Sequence, residues 1–179
     1  MRKSTLAIAL AGTTLLIGAC AAIRRHGPVG NHAVPQPAKL VDVQRYMGRW
    51  YEQYRYEASF EKEMDGVTAE YSLEHDGTVR VVNRGQRRGK WKESIGKAKI
   101  VDAATNAKLK VSFFGPFYGN YWVLDHDDDY QWSIVGEPSG RYLWVLTRDP
   151  RPSAELLSDI EGRVKSLGYD RSLLRRTQH

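Results

Sequence analysis

The chain is almost without cysteine: Cys20 is the only one in 179 residues. No internal disulfide can brace the body, so a folded domain must hold itself together by burial and hydrogen bonding. Histidine is scarce too. His26, His32, His75, His126 and His179 stand at spacings that fit no zinc site. There is no Gly-x-Ser-x-Gly, so a hydrolytic arrangement of Ser94, His126 and Asp125 has no motif behind it. Asp127-Asp128-Asp129 lacks the ligand alternation and distal Glu of an EF-hand and reads as a solvated turn. No catalytic residue, metal or cofactor is expected. Nor is there an apolar run long enough for a membrane-spanning helix: Leu6–Ile17 falls short of the roughly 20 residues required.

That short run has another reading. With Arg2 and Lys3 before it and Leu16-Ile17-Gly18-Ala19-Cys20 at its end, residues 1–19 form a secretory signal closed by a lipobox. Cys20 is then diacylated on sulfur and becomes the mature N-terminus; plain secretion with cleavage at a small-residue site is the alternative. Two or three acyl chains, at about 0.8 kcal/mol per buried CH₂, give stable membrane attachment. Ala21, rather than an inner-membrane-retaining Asp, points to the outer membrane. Residues 20–40 carry Gly27, Pro28, Gly30, Pro35 and Pro37 with little apolar periodicity and are expected to be a flexible tether. The domain proper is then 41–179.

The formal charge is +6, spread over pairs such as Arg24-Arg25, Arg87-Arg88, Lys97/Lys99 and Arg175-Arg176 with acids between them. These read as a solvated surface, with attraction to anionic head groups as the alternative. Nucleic acid is not an expected partner of an exported lipoprotein, and a homodimer is left open.

From Trp50 to Leu146 the chain alternates with period two between turns. Val67, Ala69, Tyr71 and Leu73 precede the turn His75-Asp76-Gly77, and Val79 and Val81 return towards Asn83-Arg84-Gly85. Further runs follow around Ser94–Ile100, Ala107–Phe113 and Tyr121–Leu124, then Tyr130–Glu137 and Arg141–Thr147 about Pro138-Ser139-Gly140. The pattern predicts an all-β, eight-stranded, up-and-down antiparallel barrel, wide enough inside for one small ligand. Ser153 to Gly168 predicts one C-terminal α-helix, packed outside through the stripe Leu156, Leu157, Ile160, Val164 and Leu167. Tyr169–Leu174 suits a short added strand, and Arg175–His179 are expected to fray.

Five stretches in order resemble the lipocalin family, in particular its bacterial outer-membrane lipoprotein and apolipoprotein D-like members. They are Gly48-Arg49-Trp50-Tyr51-Glu52, Asn83-Arg84-Gly85, Val111–Phe117, Asp127–Tyr130 and Tyr142–Arg148. The resemblance covers about residues 40–175; Trp122, Asp125 and His126 depart from it. It implies a structural motif of Gly48, Trp50 and Arg148, in which a guanidinium stacks on an indole and seals one end of the barrel. Some lipocalins are isomerases with a cysteine in the barrel, a mechanism closed here because Cys20 is the only one.

Binding is the remaining expectation. Ser94 and Ala98 are small and leave volume. Tyr71, Leu109, Val111, Phe113, Val123, Trp132, Tyr142 and Trp144 would supply apolar and aromatic walls. Such a cavity suits an elongated amphiphile, a fatty acid or lysophospholipid, stored or carried across the periplasm by a protein lipid-anchored to the outer membrane. A filled barrel serving as a structural or interaction lipoprotein is the competing expectation.

Overall fold

The computed structural model describes residues 27–179. The signal segment, Cys20 and Arg24-Arg25 lie outside the described residues. Eight antiparallel strands follow one another as a meander: β1 Gly48–Tyr56, β2 Met64–Leu73, β3 Val79–Arg87, β4 Lys90–Ile100, β5 Lys108–Phe114, β6 Phe117–His126, β7 Trp132–Gly136 and β8 Leu143–Thr147. Each pairs with the next, β8 pairs with β1, and β1 with β2, which closes the barrel. A single helical turn, α1 Val43–Tyr46, enters β1; Asp42 caps it by accepting from the N–H groups of Gln44 and Arg45.

β3 runs through Asn83-Arg84-Gly85 to Arg87, and the reversal falls at Arg88-Gly89, both with positive φ. The eighth strand is shorter than Arg141–Thr147 and begins at Leu143.

Beyond the barrel, α2 Ala154–Ser166 starts where the Ser153 hydroxyl accepts from Leu156 N–H and ends before Gly168 at φ +87°. Leu157, Ile160 and Val164 bury against Tyr54, Trp132, Ile134, Leu143 and Val145 on the barrel's outer face. Period two along the strands thus builds two cores, one inside the barrel and one beneath the helix.

The C-terminus does not fray. β9 Leu174–Arg176 pairs with the far half of β1, Tyr54–Tyr56, which β2 leaves unpaired. Thr177 is buried, with its N–H on the Gln53 carbonyl. The segment expected to be a loose tether is likewise held where it is described. Gly30 and Asn31 donate to Gly140 O, the Asn31 amide donates to Leu167 O, and Val41 donates to Thr105 O. These bonds pin 27–41 along the barrel wall, because buried backbone there needs partners.

Candidate functional site

One end of the barrel is shut. Trp50 is fully buried on the inner face of β1 and donates its indole N–H to Tyr46 O at 2.9 Å. Arg148, just past β8, lies over that ring and donates to the carbonyls of Arg49, Arg45 and Met47 at 2.8–2.9 Å. Gly48 has φ +93°, and a Cβ there would come within 3.3 Å of the Arg148 Nη1. The left-handed backbone and the close guanidinium both require glycine.

Above this floor runs a chain of hydroxyls. Ser133 Oγ lies 2.9 Å from Tyr46 OH, which lies 3.1 Å from Tyr121 OH, which lies 3.0 Å from Tyr71 OH. Burial pushes the Tyr46 phenol up to about 12 and raises Tyr71 and Tyr121 further, so all three stay neutral.

The expected wall residues divide by place. Tyr71, Ala98 and Val123 are buried in the inner core, where Ala98 stands opposite Val79 and Val111. Leu109, Val111, Phe113 and Trp144 pack against that core but are only half-buried, as is Tyr121. The partly exposed inward side chains thus gather on the β5, β6 and β8 side of the barrel. Ser94 is exposed on the upper part of β4, and Tyr142 stacks on Trp144 at the rim, 5.9 Å between centroids.

Trp132 is a correction. It lies in the outer core beneath α2, with the Arg163 guanidinium 4.9 Å from its ring centroid. The inward residues of β7 are Ser133 and Val135. A register of one residue at the Asp127–Gln131 turn decides the face. Of the departures from the family pattern, Trp122 joins the outer core, Asp125 pairs with Arg163, and His126 stacks on Tyr130 at the shut end. None of the three lies at the mouth.

Sequence reasoning missed the charges at the open end. Arg55 is fully buried, with Nη1 2.6 Å from Glu52 and Nη2 on Glu57 and on the carbonyls of Glu61 and Met64. Trp144 donates its indole N–H to Glu61 at 2.9 Å, linking a cavity wall to the β1–β2 loop. Burial, reinforced by the Glu61 charge, pushes Glu52 up to about 8; burial likewise raises Glu61. Glu52 and Glu57 share the Arg55 guanidinium, and burial pushes the Glu52 and Glu61 carboxyls towards their neutral forms. A bulge between Glu52 and Tyr54 turns Arg55 to the face Glu52 already occupies, and only that break in alternation signals the cluster.

A closed eight-stranded barrel, shut at one end by a Trp–Arg pair and flanked by one helix, defines the lipocalin fold. The chain belongs to the lipocalin family: the lipocalin-like domain matches residues 41–179. It is similar to the Outer membrane lipoprotein Blc of Vibrio cholerae, 40% identical over 152 residues that span 83% of this chain and 89% of that protein. The protein of the same name from Escherichia coli is 44% identical over 131 residues, 72% of this chain and 74% of its own. Among solved structures, insecticyanin from Manduca sexta superposes with a TM-score of 0.68 at 19% identity, over 83% of this chain and 87% of that one, a likeness of fold.

Proposed function

We propose that this chain is a lipocalin lipoprotein, anchored to the outer membrane through Cys20 and facing the periplasm, that binds fatty acids or lysophospholipids for storage or transport. One observation carries the binding reading: Leu109, Val111, Phe113, Tyr121 and Trp144 turn inward in a closed barrel and remain only half-buried. Their apolar and aromatic surface suits an acyl chain, while the charged groups near Trp144 suit a polar head at the mouth. Anchoring and location rest on the lipobox and on relatives named outer membrane lipoproteins. Binding requires no turnover, and among the described residues no cluster of His, Cys, Asp and Glu could hold a metal ion.

A pair of variants tests it. Val111→Trp fills the open side, so affinity for a fluorescent fatty acid should fall at least tenfold while the melting temperature holds. Ala98→Trp enters a fully packed position and should cost about 1–3 kcal/mol or more. Equal destabilisation by both, with no probe bound by the parent protein, would establish a filled barrel instead.

A further inference from the structure

The open rim carries large apolar side chains that stay mostly exposed, although Phe60 leans on Tyr142. Phe60 is 61% exposed in the β1–β2 loop, Trp91 65% at the β3–β4 hairpin, and Phe114 80% and Phe117 77% on either side of the β5–β6 turn. These three loops share one end of the barrel, because strands that alternate up and down place alternate loops together. Isolated exposed apolar residues need no explanation, but four aromatics on three neighbouring loops do.

Charge at the same rim is one-sided. Glu57, Glu63 and Asp65 are taken up by Arg55, Arg88 and Arg175. Lys62, Lys90 and Lys92 are exposed and make no ion pair among the described residues. An aromatic belt fringed by free ammonium groups matches the interface of an anionic lipid surface, where rings sit at head-group level and cations meet phosphates.

The start of the described chain adds a third, independent observation. Gly27 lies at this rim: its carbonyl accepts from Arg141 in the β7–β8 loop, and it packs near Glu57 O. It stands seven positions after Cys20, a reach of at most about 25 Å. The eleven residues of β4, tilted as barrel strands are, make a wall about 27 Å tall before its loops are added. A barrel standing on its shut end would hold Gly27 beyond that reach.

We infer that the protein docks mouth-down on an anionic phospholipid surface, with Phe60, Trp91, Phe114 and Phe117 at head-group depth and Lys62, Lys90 and Lys92 against the phosphates. The inference rests on the proposed anchor at Cys20 and deepens the carrier reading. A ligand would pass between bilayer and barrel without crossing free water.

The test uses the full lipidated chain in vesicles of phosphatidylethanolamine and phosphatidylglycerol. Acylated Cys20 leaves Ser94→Cys at the rim and Ala103→Cys at the shut end as single sites for a polarity-sensitive fluorophore. Nitroxide lipids should quench the label at 94 several-fold more than that at 103. High salt, or vesicles without phosphatidylglycerol, should narrow the difference. So should the triple variant Trp91→Ser, Phe114→Ser, Phe117→Ser, with its melt checked against the parent protein. Equal quenching at both sites of an anchored protein overturns the docking alone. A chain that carries no lipid at Cys20 and stays off the vesicles retires the anchor and the docking together. Label-to-label quenching at 94 that persists in detergent would show a second copy on the rim and overturn the lipid surface as its occupant.

Discussion

The guanidinium carbon of Arg148 lies 3.8 Å from the centroid of the Trp50 ring, and each of its terminal nitrogens holds a backbone carbonyl. Stacking and hydrogen bonding use different directions of the same planar group, so neither weakens the other. The carbonyls belong to Arg45, Met47 and Arg49, the segment leading into β1. Arg148 therefore fastens the entry of the first strand to the exit of the last, across the shut end.

Removing either partner should be costly, and removing both should cost less than the sum. Trp50→Ala should destabilise by about 3–5 kcal/mol, as truncation of a large buried aromatic does. Arg148→Ala should cost less, with a coupling of about 0.5–3 kcal/mol between the two. Denaturant melts of the four proteins measure it; strict additivity would show that the stacked geometry contributes nothing of its own.

Stability should fall as the pH rises towards about 8. The buried Glu52 keeps its proton up to about 8, whereas in the unfolded chain it releases it near the ordinary 4.5. Between those values the folded state binds more protons than the unfolded one, so the slope of stability against pH is negative. Glu52→Gln should remove much of that slope and leave the acid side nearly unchanged. Chemical denaturation at several pH values reads it directly. A wild type that instead gains stability over the window would mean that Glu52 is ionised against Arg55.

Gly162→Ala should stabilise by about 0.5–1 kcal/mol. Gly162 sits within α2, and a Cβ there meets nothing within 4 Å. The gain comes from reduced freedom of the unfolded chain and a better helix former, not from a new contact. Urea melts should show a higher midpoint at constant m-value; an unchanged midpoint would mean that this turn of α2 adds little to global stability.

The eight strands, the helix with its stripe and the Trp50–Arg148 seal were legible because each follows from a repeating pattern or from residues that resemble a known family. What was not legible follows from parity. Alternation counted from the Asp127–Gln131 turn leaves the register free by one residue, so Trp132, expected inward, lies outward. Nothing in the strand pattern points to Arg55, because the bulge before Tyr54 reverses the alternation. Tyr46 precedes the barrel on a single helical turn, so no strand pattern could bring it to Tyr121 and Ser133. The C-terminal residues look polar and loose in sequence; only the unpaired half of β1 gives Leu174–Arg176 an edge to join.

The hydroxyls of Ser133, Tyr46, Tyr121 and Tyr71 form three links from four groups, and each group has one hydrogen to give. Three hydrogens fill the links and one is left over, presented at whichever end the chain points towards. Turning every hydroxyl in concert moves that hydrogen from the Ser133 end to the Tyr71 end and breaks no link. The depths of the barrel thus have no fixed polarity: they can meet a carbonyl by offering a hydrogen, or an alcohol by accepting one.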